Sequence, residues 1–335
     1  MISTRTIGTL CAVIFLLGSA CSSSDGDVAS EAERRGATST GPTNPAPDAT
    51  TPIGTFEVEE ATTELVDSSR VTKAHGGRPE LPNRTLPVHV WYPKLDAGKQ
   101  VPLIVFSHGS TRLTVHYEAT LEVWASAGYI VVGADFPLSK EGTAGGTNYG
   151  DVNEQARDVS FLIDRVLDSA GDPDLPWAAL VDPEHIGLGG QSLGAITTLL
   201  AAADPCCADR RVDAVTEFAG AWSSPAGATT DGAAAPPALL VHGDADPTVP
   251  YGAAESLLDD YPGARQLLTL VGSGHDQGFF EGLGAPLDEL VARATVAFYD
   301  QHLKDDPEGL QRLETLAAKA GARVATLSEL RGHSS

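Results

Sequence analysis

A predicted strand runs directly into a predicted helix within the stretch His185-Ile-Gly-Leu-Gly-Gly-Gln-Ser-Leu-Gly-Ala-Ile-Thr-Thr-Leu-Leu-Ala-Ala-Ala203. The first part is a short apolar run that ends at glycine. The second part is rich in Leu, Ala and Ile without charge, as in a helix buried under a sheet. Between them, residues 190–194 fit the pattern G-x-S-x-G, which places Ser192 on a sharp strand-to-helix turn. Side chains two residues on either side of the serine would collide there, which accounts for the glycines. The pentapeptide alone also fits an ordinary glycine-rich turn.

On both sides of this stretch, short apolar runs alternate with helical segments. This rhythm is typical of an α/β fold with a mostly parallel twisted sheet and helices on both faces. We find no internal repeat and no second core, so one domain over residues 56–304 is the economical interpretation, followed by a tail over 305–335 that could add a helix at 310–320. The predicted strands are 86–92, 101–107, 130–134, 185–189, 214–218, 238–242 and 266–271, and the predicted helices include 118–127, 158–167, 193–203 and 287–303.

A base and an acid for Ser192 follow it along the chain. A serine hydroxyl is a weak nucleophile at neutral pH and needs a base that is itself oriented by a carboxylate. His275 lies in Gly272-Ser-Gly-His-Asp-Gln-Gly-Phe279, and Asp246 lies in Gly243-Asp-Ala-Asp-Pro-Thr-Val-Pro250, each in a loop just after a predicted strand. The sequence thus predicts Ser192 as nucleophile, His275 as general base and Asp246 as the orienting acid.

Neighbouring residues offer alternatives for two of these roles. Asp244 competes for the acid role, although the pattern G-x-x-D-x-x-V-P favours Asp246, and Asp276 adjoins the histidine. The remaining histidines fit structural or solvated positions better than the base. They include His108, His185, His242 and His302.

The segment Phe106-Ser-His-Gly-Ser110 ends the predicted strand 101–107, where an acyl-transfer enzyme needs a backbone N–H to hold the developing oxyanion. We expect Ser110 and Leu193 to be the two donors. His-Gly could also be a simple strand-terminating turn, but the serine, the acid, the base and this loop together favour acyl transfer. That mechanism needs no metal and no organic cofactor, and we expect none.

The chain resembles the α/β-hydrolases related to platelet-activating-factor acetylhydrolase, dienelactone hydrolase and bacterial polyester hydrolases or cutinases, over residues 86–303. The resemblance implies an α/β-hydrolase fold and a carboxylic ester hydrolase. A peptidase, an acyltransferase or a non-catalytic surface-binding lipoprotein are the alternatives on this scaffold. Ser192 argues against dienelactone hydrolysis, which uses a cysteine. The segments that carry the resemblance are 106–110, 127–137, 158–164, 182–194 and 243–246.

In the polyester-hydrolase branch a tryptophan lines the substrate cleft, and the resemblance places Trp222 at that position. A core aromatic that packs beneath the site is the alternative. Only a short run of small and polar residues separates Trp222 from the strand at 238, so we expect no large lid. The glycine-rich stretch 139–150 could shape the cleft instead.

The N-terminus has the order of a secretory signal over residues 1–21, with Arg5, an apolar run too short to span a membrane, and small residues before Cys21. Gly18-Ser-Ala-Cys21 resembles a lipobox, which implies lipidation of Cys21, although Gly18 departs from the usual leucine. A cleaved, unlipidated signal is the alternative. Residues 22–55 are too polar to bury a core and predict a disordered linker. We therefore expect export, with membrane contact only through the anchor.

The charge of the chain restricts the kinds of partner that we expect. With 45 Asp plus Glu against 22 Lys plus Arg, the net charge of -23 would repel nucleic acid. We expect a monomer that acts on a small-molecule or polymeric ester. Of the four cysteines, Cys206 and Cys207 remain after processing, and they could form a vicinal disulfide or stay as free thiols. No metal site follows, because no histidine lies at ligand spacing.

Overall fold

The structure is a computed structural model, and it describes residues 54–96, 98–222, 235–279 and 285–326. The expected signal with Cys21, and the expected linker except for its last two residues, lie outside the described residues. Within the described part of the chain, no helix has the length and apolar character needed to cross a membrane.

Nine strands form one sheet in the order β1-β2-β4-β3-β5-β6-β7-β8-β9. The pairs from β4 through β3 to β8 are parallel, and β1, β2 and β9 add antiparallel edges. This confirms the predicted mostly parallel sheet. The strands are β1 (Val58–Asp67), β2 (Arg84–Pro93), β3 (Val101–Ser107), β4 (Ile130–Ala134), β5 (Val181–Gln191), β6 (Val212–Phe218), β7 (Ala238–Gly243), β8 (Arg265–Leu270) and β9 (Arg323–Thr326).

Helices cover both faces of the sheet, as predicted. Successive residues of a strand point to opposite faces, so Leu103 and Val105 of β3 belong to one core cluster, and Ile104 and Phe106 to the other. The first cluster is closed by α2, α3 and α4, and the second by α1, α5 and α6. The helices are α1 (Glu118–Ser126), α2 (Val152–Asp168), α3 (Leu193–Ala203), α4 (Gly252–Asp260), α5 (Pro286–Leu303) and α6 (Gly309–Ala320).

The ends of the sheet differ from the sequence-based expectation. β1 lies at one edge, half of its residues are exposed and only Asp67 is buried, so it lacks the apolar run of a buried strand. At the other edge β9 pairs with β8, so the sheet continues beyond the boundary expected at residue 304. A strand of four residues carries too short a pattern to be recognised. α6 lies where a helix was expected, and it ends at Gly321, whose φ of 71° suits glycine.

The two cysteines left open by the sequence form a vicinal disulfide, Cys206–Cys207, just after α3. Cys206 is exposed and Cys207 is half-buried against the core. The bond lies in the turn that follows the helix.

Candidate active site

Ser192 occupies the turn between β5 and α3. Its φ of 55° and ψ of -117° are a strained backbone conformation for a residue with a side chain. The Ser192 N–H donates to the Phe218 carbonyl over 2.8 Å, which ties the turn to β6. A Cβ on Gly190 would overlap the Gly194 carbonyl, and a Cβ on Gly194 would overlap the Ser107 carbonyl. The glycines are therefore required by close backbone approach, as the sequence pattern predicted.

The structure brings Ser192, His275 and Asp246 into one hydrogen-bonded chain. His275 Nε2 lies 3.0 Å from Ser192 Oγ, and His275 Nδ1 lies 2.7 Å from Asp246 Oδ2. The Asp246 side chain is fully buried and that of His275 is 13% exposed. With Nδ1–H donating to the carboxylate, Nε2 accepts from the serine hydroxyl. This arrangement can draw a proton from Ser192.

The second oxygen of Asp246 is held by its own loop. Asp246 Oδ1 accepts from the N–H groups of Thr248 and Val249 over 2.7 and 2.9 Å. Both carboxylate oxygens are thus engaged, which fixes the direction in which Oδ2 faces His275. This explains why the acid stands in the segment G-x-x-D-x-x-V-P.

Asp244, the alternative candidate for the acid, makes other contacts. Its Oδ1 accepts from the Gly272 N–H over 2.6 Å, and its Oδ2 pairs with Arg323 at 3.1 Å. Asp276 turns away as well and forms an exposed ion pair with Arg112 at 3.3 Å. Of the candidate acids, only Asp246 is placed against His275 by the described contacts.

His242, interpreted from the sequence as structural, touches the candidate site. Its Nε2 lies 2.9 Å from the Val249 carbonyl and 3.4 Å from Asp246 Oδ2. Burial lowers the pKa of His242, so the ring is neutral and its Nε2–H donates to the carbonyl. The signal in the sequence was its place at the end of β7, four residues before the acid.

The loop after β3 positions the Ser110 amide. His108 is fully buried; its Nδ1–H donates to the Gly109 carbonyl over 2.8 Å and its Nε2 accepts from Phe136 N–H over 2.9 Å. Burial lowers the pKa of His108 to about 4, which keeps this ring neutral. In a planar trans peptide the N–H points opposite to the C=O. Holding the Gly109 carbonyl therefore fixes the direction of the Ser110 N–H.

This loop is also tied to the nucleophile turn. The Gly109 N–H donates to the Tyr117 hydroxyl over 2.9 Å, and that hydroxyl donates to Gln191 Oε1 over 2.9 Å. Gln191 directly precedes Ser192. Among the described contacts, the backbone N–H groups of Ser110 and Leu193 donate to no protein acceptor. Both remain available to a ligand oxygen, as an oxyanion hole requires.

Trp222 packs on the core. Its half-buried ring meets the Tyr261 ring edge to face at a centroid distance of 6.1 Å. The Tyr261 hydroxyl donates to the Pro236 carbonyl, just before β7 begins and at the edge of the sheet opposite to Ser192. No described contact joins Trp222 to Ser192, His275 or Asp246. The contact with Tyr261 agrees with the packing alternative, and the cleft-lining role of Trp222 stays a prediction.

Metal ligands do not gather at this site within the described residues. Among the described residues, one group of side chains could hold a metal ion, and it lies on β1 and α1. It consists of three exposed carboxylates, Glu60, Glu118 and Glu122, whose oxygens lie within 4.8 Å of one another. Exposed acidic clusters of this kind are common without an ion. The mechanism considered below uses only protein groups and water.

Comparisons with known proteins agree with this fold. A family model described as TAP-like protein, of the α/β-hydrolase type, matches residues 201–285, which contain Asp246 and His275. The structure is similar to a ferulic acid esterase from Streptomyces cinnamoneus, with 20% identity and a TM-score of 0.62, over 83% of this chain and 98% of that one. No curated protein matches at a significant level. The chain has the α/β-hydrolase fold.

Proposed function

We propose that this protein is an exported serine hydrolase that cleaves carboxylic esters, with Ser192 as nucleophile, His275 as general base and Asp246 as orienting acid. One observation carries the proposal, namely the hydrogen-bonded chain from Ser192 Oγ through both nitrogens of His275 to Asp246. The match to the TAP-like family model and the likeness to a ferulic acid esterase support the class of reaction.

The reaction would proceed through an acyl-enzyme. Ser192 Oγ attacks the ester carbonyl while His275 Nε2 takes the hydroxyl proton, and the carbonyl oxygen becomes an oxyanion held by the Ser110 and Leu193 amides. The C–O bond to the alcohol then breaks, and the alcohol leaves with the proton from His275. Water, deprotonated by the same imidazole, attacks the acyl group and releases the acid and Ser192.

Within this class we propose an acetylhydrolase, carboxylesterase or polyester hydrolase, acting as a monomer. Export follows from the signal-like residues 1–21, and lipidation of Cys21 would anchor the domain to the membrane through the linker. A peptidase or an acyltransferase would use the same serine, and a surface-binding lipoprotein would use the fold without catalysis.

The deciding experiment compares Ser192→Ala with Ser256→Ala, a helix-surface control whose hydroxyl only bonds its own helix. We expect Ser192→Ala to lose at least a thousandfold in kcat on p-nitrophenyl butyrate, and Ser256→Ala to match the wild type. Retained turnover in Ser192→Ala would overturn the assignment. Labelling by a fluorophosphonate separates an activated serine from a non-catalytic binding protein.

Two further measurements separate the remaining alternatives. A peptidase would cleave the p-nitroanilide of the same acyl group at a comparable rate, and an acyltransferase would form a new ester when an alcohol acceptor is added. We expect neither. For the anchor, Cys21→Ser in the full chain should move the protein from the membrane fraction to the medium.

A further inference from the structure

A short hairpin lies between β1 and β2 along the chain. Thr72 pairs with Leu81 and His75 pairs with Arg78, so the chain turns back at Gly76-Gly77. Both glycines have positive φ, 55° and 77°, as a two-residue hairpin turn requires. The turn therefore sets His75 and Arg78 opposite each other by backbone geometry.

The hairpin is fastened to the loop that follows β4. A Cβ on Gly76 would overlap the Ala144 backbone, so the two chains meet in direct backbone contact. His75 Nε2 also lies 2.8 Å from the Gly146 carbonyl. Between hairpin and loop lies a cavity of about 220 Å³, to which the loop contributes Lys140 and Pro137. Its walls are held by the backbone of two segments.

The charge of this cavity opposes that of the protein. Its lining contains Lys73, His75, Arg78 and Lys140 and, among the described residues, no carboxylate. The chain as a whole carries a net charge of -23. The cations are weakly compensated: Lys73 reaches Glu154 only at 4.0 Å, and no described ion pair involves Arg78 or Lys140.

We propose that this cavity binds the carboxylate or phosphate group of a small molecule. Lys73 and Arg78 are exposed and His75 and Lys140 are half-buried, so their charges face the same open space. On a protein that is otherwise strongly negative, this cluster is the preferred place for an anion. The guanidinium of Arg78 suits bidentate contact with either oxyanion, and Lys140 and Lys73 supply point charges. The volume fits a compact anionic group.

The cavity does not contain the candidate catalytic residues, but its loop is hydrogen-bonded to the segment that carries Ser110. The loop that contributes Lys140 also forms two hydrogen bonds with the segment that carries the Ser110 amide. The Thr111 N–H donates to the Ser139 carbonyl over 2.7 Å, and the Thr147 and Ser110 hydroxyls lie 2.7 Å apart. Burial is the main cause of the low pKa of His108, and the positive charge of Lys140 also lowers it. The anion can thus belong to a free ligand or to a substrate.

The test compares Arg78→Gln/Lys140→Gln with a control, Lys99→Gln/Lys319→Gln, which removes the same charge at exposed sites outside the lining. Titration calorimetry at constant ionic strength uses inorganic phosphate and succinate as probes. We expect saturable binding of at least one probe to the wild type and the control, and at least tenfold weaker binding to the cavity variant.

A kinetic arm identifies the source of the anion and rests on the proposed function. It compares mono-p-nitrophenyl glutarate with neutral p-nitrophenyl pentanoate. If the substrate carries the anion, the cavity variant lowers kcat/KM for the glutarate at least tenfold and leaves the pentanoate unchanged. If the cavity variant no longer binds the probes while the ratio of kcat/KM for the two esters is unchanged, the anion is a free ligand.

One combined result would overturn the proposal: all three proteins bind both probes alike or not at all, and the ratio of the two esters is unchanged. Failure of the esterase assignment is seen separately, because neither ester would then be cleaved while calorimetry still reports on the cavity.

Discussion

His242 Nε2 lies 3.4 Å from Asp246 Oδ2, the same oxygen that accepts the hydrogen bond of His275. Two histidines therefore face one carboxylate oxygen, but they differ in environment. Burial lowers the pKa of His242 and keeps its ring neutral, so it does not compete as a cation with His275 for Asp246. Its N–H holds the Val249 carbonyl instead, on the loop whose amides grip Asp246.

Replacing His242 by Leu should lower kcat about tenfold with KM unchanged, because the Val249 carbonyl loses its donor and the acid loses its fixed direction. His242→Gln keeps an N–H near the position of Nε2 and should retain most activity. Steady-state kinetics on p-nitrophenyl butyrate measures both. Full activity in His242→Leu would show that the loop around Asp246 keeps its conformation without His242.

The choice of acid can be tested by a matched pair of asparagine variants. Asp246→Asn keeps the shape but favours the wrong tautomer of His275, and we expect kcat to fall by about four orders of magnitude. Asp244→Asn weakens only the contacts with Gly272 and Arg323 and should change kcat less than fivefold. The reverse order of effects would assign the acid role to Asp244.

Much of the architecture could be predicted from the sequence because its signals are local. The strand, turn and helix around Ser192 follow from glycine spacing and apolar runs, and the loops of Asp246 and His275 each follow a buried strand. The parallel sheet with two helical faces is confirmed. The edge strands β1 and β9 carry weak or short patterns, since an edge strand is half solvated.

Contacts that depend on facing side chains could not be predicted. Whether His242 meets Asp246, or which way Trp222 turns after β6, is decided by packing between segments distant in sequence. His108 was assigned to the oxyanion motif, but its hold on the Gly109 carbonyl depends on the segment just after β4, which supplies the Phe136 amide as its second partner.

His108 provides a test of how the oxyanion loop is positioned. His108→Leu removes one of the two donors to the Gly109 carbonyl, so that only the Arg112 N–H at 3.2 Å remains, and it leaves the buried Phe136 N–H without its acceptor. The unpaired Phe136 N–H alone costs about 1–3 kcal/mol. We expect lower stability to urea and a kcat reduced at least tenfold, with KM changed little, because the Ser110 N–H acts mainly on the transition state. Reduced stability with an unchanged kcat would limit His108 to a structural role.

A buried carboxyl group lies under the nucleophile turn. Glu217 in β6 pairs in register with Gly190, and its Oε2 accepts from the Gly220 N–H over 2.9 Å. Its Oε1 is buried and has no hydrogen-bond partner among the described residues. Desolvation raises the pKa of Glu217 to about 8, so the folded protein keeps it protonated at neutral pH.

This shift predicts how stability changes with pH. Between about pH 4.5 and 8 the unfolded chain loses the Glu217 proton while the folded protein retains it, so this residue lowers the free energy of unfolding by about 1.4 kcal/mol per pH unit. Above pH 8 both states are ionised and the loss stops growing. Glu217→Gln cannot ionise, and its amide oxygen can still accept from Gly220. Relative to the wild type, this variant should therefore gain stability as pH rises from 5 to 8.

Urea unfolding at pH 5, 6.5, 8 and 9 measures the difference between Glu217→Gln and wild type, with Glu64→Gln, at an exposed position of β1, as the control for losing one carboxylate. We expect the difference for Glu217→Gln to rise up to pH 8 and then level off. A difference that does not vary with pH would mean that Glu217 ionises inside the fold near its ordinary pKa. Water would then have to reach the Glu217 Oε1 atom, and the Ser192 turn would lie next to a hydrated carboxylate.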